Sequence, residues 1–133
     1  MREDRLSGLT EHLLAATSAR TDEELWALHT AYMAKFGFDR LIYGYTRYRT
    51  NHSLGDPQDW IILTTQSPEY MEAFLGSGHV GNAPMVRWAL ENNGACSWRW
   101  MEEMLRNDML TDREKAVLEF NRSHGVTAGY TLS

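Results

Sequence analysis

Histidine stands at positions 12, 29, 52, 79 and 124 and cysteine only at position 96, so metal or nucleophilic chemistry would have to be assembled from these. The histidines show no metal-ligand spacing: His29, for example, has no second ligand-type residue three or four places on, where a helix would bring two ligands to one face. Cys96 lies in the short apolar stretch Ala95-Cys96-Ser97-Trp98. A thiol there is a small buried hydrophobe unless a base stands beside it. The G-x-S-x-G elbow is missing, and the acidic residues fall mostly in capping boxes and on exposed helix faces, where solvation accounts for them. Gly76-Ser77-Gly78-His79-Val80-Gly81 spells G-x-G-x-x-G, but the dinucleotide fingerprint needs a strand immediately before it and a helical pattern precedes here. No catalytic residue, metal or cofactor is expected, and the chemistry left to this chain is binding.

Flat rings supply that chemistry. Tyr70 and Phe74 are four apart, so on a helix they share one face. They follow the apolar run Trp60-Ile61-Ile62-Leu63-Thr64-Thr65 and precede Gly78, Asn82-Ala83-Pro84 and Trp98. Aromatics at helical spacing serve equally as core or as the wall of a cavity.

The elements that position them are legible in order. Leu6, Leu9, Leu13 and Leu14 have helical spacing. Thr21-Asp22-Glu23-Glu24 has the form of a capping box opening a second helix, with Leu25, Leu28, His29, Tyr32, Met33 and Phe36 on one face and Gly37 as the stop. From Asp39 to Arg49 the residues are β-branched and aromatic, a strand. Its alternation sets Leu41, Tyr43 and Tyr45 against Ile42, Gly44 and Thr46, and Gly44 leaves a notch that admits a ligand or a close backbone. The turn residues of Asn51 to Asp59 lead into an antiparallel neighbour at Trp60. After Gln66, Ser67 and Pro68 start a helix that ends at Gly76 or Gly78. Pro84 opens another, through Met85 and Trp88, stopping at Asn92-Asn93-Gly94. A short strand at Ala95 to Trp98, a helix from Arg99 to Leu105, a capped helix from Thr111 with Ala116, Val117 and Phe120 inward, and a strand from Val126 to Ser133 complete the chain. This order predicts an α+β sandwich, mostly antiparallel with helices on both faces.

A length of 133 residues with 43% hydrophobic content is one domain by size. A net charge of -5 argues against this segment wrapping nucleic acid, which demands clustered Lys and Arg. The single cysteine allows no internal disulfide, and no run resembles a signal peptide or membrane span, so the cytoplasm is the expected location.

Taken together, these residues resemble the N-terminal autoinducer-binding domain of LuxR-type quorum-sensing transcription regulators. The resemblance is carried by Gly37-Phe38-Asp39-Arg40-Leu41-Ile42-Tyr43-Gly44, the Tyr70 and Phe74 pair, Gly78, Ala83-Pro84, Trp98, Ser123-His124-Gly125-Val126 and Gly129-Tyr130-Thr131. It implies one ligand-sensing domain over residues 1–133, with a PAS-like α-β-α sandwich holding an acyl-homoserine lactone between sheet and helices. The implied ligand residues are Tyr70, Phe74, Trp98, Ala83, Asn82, Ile42, Gly44, Ile62, Gln66, Met85 and Thr131. The family's lactone-contacting Trp falls at Tyr70, its neighbouring Tyr at Phe74, and the Asp that accepts the ligand's amide N–H at Ala83; Trp98 is retained. The resemblance further implies that the family's later strands and its helix-turn-helix are not in this chain, which is then a fragment or a regulator without output. The implied partners are a lactone-like small molecule and a second subunit, as homodimer or as heterodimer with a longer LuxR-type regulator. Two other readings stand beside a lactone sensor with altered contacts: a truncated homologue that pairs without ligand, and a PAS-like sensor of another small molecule.

Overall fold

The structure, a computed structural model, describes residues 2–133, with side chains from residue 8 onward, so the expectation for the Leu6 side chain lies outside the described residues. Helices α1 (Arg2–Thr17) and α2 (Asp22–Ala34) are followed by β1 (Ile42–Tyr45), a 3₁₀ turn (Pro57–Asp59) and β2 (Ile61–Thr64). Then come α3 (Pro68–Gly76), α4 (His79–Asn82), α5 (Pro84–Glu91), β3 (Ala95–Ser97), α6 (Arg99–Arg106), α7 (Asp112–Ser123) and β4 (Tyr130–Leu132). The expected order holds, with α4 and the 3₁₀ turn inserted. The composition, 53% helix and 11% strand in small antiparallel sheets, is that of an α+β chain.

The contacts divide into two compact units, one made of residues up to Tyr43 with Ile62–Thr65, the other of Gly44–Ile61 with Gln66–Ser133. In the first, α1 lies against α2 through His12, whose ring stacks on Tyr32 at 3.9 Å and 6°. Thr21 caps α2, its Oγ1 accepting from the Glu24 amide at 3.1 Å. The Glu24 carboxylate takes the amide of Arg20 at 3.2 Å, one residue earlier than a capping box requires. At the other end Gly37, at φ 89°, lets the Phe38 amide turn back to the Met33 carbonyl, the stop expected there. The apolar face expected on α2 is split: Leu28, Tyr32 and Met33 are half-buried, whereas Leu25 and Phe36 are exposed. Thr65 ties this unit together, its amide donating to the Leu41 carbonyl at 2.9 Å and its hydroxyl to the Asp39 carbonyl at 3.1 Å.

The strands pair as two separate two-stranded sheets, β1 with β2 and β3 with β4, where the sequence predicts one. They are short because local chemistry interrupts the ladders. Thr46 Oγ1 accepts from the Tyr48 amide at 3.2 Å, a side-chain turn that ends β1 four residues early. The last strand starts only at Tyr130, because the preceding Gly129 lies flat against Trp98. In the second unit β3 and β4 pair antiparallel, Ala95 opposite Leu132, Cys96 opposite Thr131 and Ser97 opposite Tyr130. Gly94 and Ser133 exchange two backbone bonds of 2.9 Å at one end, and the Trp98 amide donates to the Gly129 carbonyl at the other.

Capping residues fix the helices of this unit. Ser67 accepts from the Tyr70 amide at 3.1 Å with Pro68 next in line. Thr111 and Glu114 form a complete capping box. Tyr70, Phe74, Ala83 and Val117 make the buried cluster, flanked by Leu75, Val80, Val86, Phe120 and Val126. Full burial of one such apolar side chain contributes roughly 1.5–3 kcal/mol, so α3, α5 and α7 hold one another chiefly through these contacts.

Candidate ligand site

Tyr70 is 3% exposed, its ring stacked on Phe74 at 5.6 Å and on Phe120 at 5.1 Å, with His124 edge-on at 5.3 Å. His79 covers Phe120 at 4.6 Å. The Tyr70 hydroxyl donates to Asn121 Oδ1 at 2.6 Å. Asn121 was not among the expected residues. It stands four places after Val117 on the inward face of α7, and that helical spacing is the one signal in the sequence that could have found it.

Ala83 is buried and serves as the N-cap of α5 without any side-chain cap; its carbonyl accepts from the amides of Val86 and Arg87 at 3.1 and 3.2 Å. Asn82 ends α4 and donates its side-chain amide to the Gly78 carbonyl at 3.0 Å. Met85, in the first turn of α5, is buried. Gln66 is half-buried just before the Ser67 cap. Gly44 is exposed, and a Cβ there would meet nothing within 4 Å. Ile42 and Ile62 belong to the first unit, Ile42 exposed and Ile62 half-buried.

Trp98 and Thr131 form the second grouping. The indole Nε1 donates to Thr131 Oγ1 at 2.9 Å, and a Cβ at Gly129 would lie 3.3 Å from two ring atoms, so the glycine backbone covers one face of the indole. Two recesses adjoin this ring. One of about 230 Å³ is bordered by Ser97, Trp98, Arg99, Glu102 and Tyr130; one of about 70 Å³ by Trp98, Met101, Leu105, Leu118 and Asn121. Asn121 thus reaches the aromatic cluster with its side-chain oxygen while bordering the smaller recess. Both volumes fall below the roughly 300 Å³ at which small-molecule sites usually begin.

Glu114 is buried and accepts from the Thr111 amide at 3.1 Å and from Arg87, which approaches its other oxygen to 3.2 Å. Cys96 is half-buried with its thiol 3.4 Å from the Ser97 carbonyl. Among the described residues no three His, Cys, Asp or Glu side chains gather as a metal would need, and no helix is long and apolar enough to cross a membrane. The G-x-G-x-x-G stretch is the end of α3 running into α4, with Gly78 at φ 80° between them. A helix precedes it, as expected, and the dinucleotide turn is not built.

Mixed helices and small antiparallel sheets around a buried aromatic cluster make an α+β chain with rings at its core. The autoinducer binding domain family matches residues 21–133, and the chain belongs to that family, the sensing domain of LuxR-type regulators. The match begins at the cap of α2. No curated protein and no solved structure matches the chain.

Proposed function

We propose that this domain senses an acyl-homoserine lactone or a related apolar signal through altered lactone contacts, in a PAS-like α-β-α arrangement serving cytoplasmic transcriptional control. One observation carries the reading. At the three positions where the family carries its polar ligand contacts, this chain offers a phenol whose proton is spent on Asn121, a phenylalanine and a capping alanine. Trp98, whose indole donates to Thr131, is the proposed aromatic wall. Gly44, Gln66, Met85 and Asn82, of the same unit, complete the proposed lining. A hydrogen bond to a charged acceptor contributes roughly 1.5–3 kcal/mol, so loss of the aspartate alone lowers lactone affinity about 10- to 100-fold. Calorimetric titration with acyl-homoserine lactones of graded chain length is expected to give weak binding that strengthens with chain length. Submicromolar affinity for any of them would refute the loss of polar anchors. Native mass spectrometry of protein from its own host then identifies the retained molecule.

A second reading, a ligand-independent module that pairs with a longer LuxR-type regulator, is favoured by one feature: Ile42, Tyr43, Tyr45 and Ile61 on the first sheet and Tyr130 and Leu132 on the second are all exposed. It requires binding to such a regulator with no small molecule present.

A further inference from the structure

We propose that the two recesses beside Trp98 form one binding site for a free amino acid with a short apolar side chain. The recesses are continuous, since Trp98, Glu102 and Thr127 border both. Tyr70, Phe74 and Ala83 border neither, so the inference goes beyond the lactone reading and does not rest on it.

The chemistry changes from one end of this groove to the other. Arg99 and Glu102 stand three apart on α6, on one face of the helix, and both border the wider recess of about 230 Å³. Opposite charges at that spacing can pair with each other. Among the described residues, however, neither side chain takes part in an ion pair. Both are exposed and open to a ligand. A guanidinium offers a carboxylate two parallel N–H donors, and a carboxylate accepts from an ammonium group. A ligand with a single charge meets one attraction and one repulsion here. A zwitterion meets two attractions.

At the narrower end, about 70 Å³, Met101, Leu105, Leu118 and Val126 stand beside the indole, with Asn121 and Arg122 also on the border. Met101 is buried, and Leu118 and Val126 are half-buried. This end suits a short apolar side chain and is small for a long acyl chain. The wall common to both ends is fixed before any ligand arrives. The Trp98 indole donates to Thr131 Oγ1 at 2.9 Å and its amide to the Gly129 carbonyl at 2.9 Å, so little freedom is lost at the ring on binding.

Nitrogen-15 NMR of the full chain tests the site by following the Trp98 indole N–H, assigned from Trp98→Phe, as ligands are added. The three probes are L-leucine, leucinamide, which lacks the carboxylate, and isocaproate, which lacks the ammonium group. Leucine is expected to move the signal saturably, and the other two to bind about two- to fivefold more weakly, the worth of one solvated charge contact. Arg99→Gln is expected to weaken leucine by a similar factor without weakening leucinamide. Glu102→Gln is expected to weaken leucine without weakening isocaproate. Arg106→Gln, at the other end of α6 and bordering neither recess, is expected to leave leucine affinity unchanged. A Trp98 signal that leucine does not move at tens of millimolar overturns the site. Equal affinity for the three probes, or an equal loss on Arg106→Gln, overturns recognition of the zwitterion by Arg99 and Glu102.

Discussion

Replacing Ala83 by aspartate puts an acceptor where the proposed reading places the family's ligand contact, and the structure says what it does to the fold. Position 83 is the N-cap of α5, extended at φ -74° and ψ 122° and followed by Pro84 at the first helical position. A capping side chain there reaches amides of the first turn that the present methyl group cannot serve. Replacing alanine by a good cap contributes about 1 kcal/mol, and a negative charge at a helix N-terminus adds roughly 0.3–1 kcal/mol. Burial opposes this, because the site is 9% exposed and an unpaired carboxylate there costs several kcal/mol. Capping supplies the hydrogen bonds, so the expected net effect of Ala83→Asp is a stabilisation of about 0.5–1 kcal/mol at neutral pH. The charged form is the one favoured on folding, which depresses the folded-state pKa below the unfolded value of about 3.9. The gain is therefore present above that value and disappears as pH falls through the depressed folded pKa. Urea unfolding at pH 7 and near pH 3, beside Ala83→Asn as an uncharged cap, separates the two contributions. A loss of more than about 2 kcal/mol for aspartate with none for asparagine would mean that the carboxylate is buried without donors, and the capping argument would fail.

Combining Ala83→Asp with Tyr70→Trp and Phe74→Tyr is expected to raise acyl-homoserine lactone affinity about tenfold or more by calorimetry, since an acceptor and two donors return; no gain in a folded triple variant counts against the assigned positions. Glu114→Ala removes the capping box of α7 and the partner of Arg87, and is expected to cost about 1.5–3 kcal/mol in urea unfolding, with Glu114→Gln costing less because one oxygen still caps Thr111. Gly129→Ala drives a methyl group to 3.3 Å from the Trp98 ring and is expected to destabilise the β3–β4 pair by roughly 1–3 kcal/mol. Unchanged stability would show that the indole yields freely. Sedimentation at tens of micromolar is expected to show a dimer, given the exposed apolar residues on both sheets; a clean monomer refutes it.

The helices were legible because their signals are local. Thr21, Ser67-Pro68 and Thr111 with Glu114 announce their starts within four residues, and the structure uses each as a cap. Helix α4 was not, since it is four residues long and contains Gly81, leaving no room for a periodic pattern. Strand ends escaped for a different reason: a threonine hydroxyl at position 46 and an indole face at position 98 interrupt ladders that β-propensity alone would have extended. The site was partly legible. Tyr70 and Phe74 declare one face by their spacing, but Asn121, which accepts the phenol's proton, lies 51 residues away on α7, and no local pattern connects the two.

The tethering of Trp98 has an optical consequence. With its N–H bound to Thr131 and one face shielded by Gly129, this indole has a fixed environment on two sides. What is left open to change is the part of the ring that borders both recesses. Emission from an indole shifts with the polarity of its surroundings. In a variant whose other tryptophans, at positions 26, 60, 88 and 100, are replaced by phenylalanine, a molecule entering either recess displaces water from that ring and moves the emission to shorter wavelength. A protein partner docking on the exposed residues of the first sheet, none of which borders either recess, leaves the colour alone. The two functional readings therefore write different spectra on the same residue.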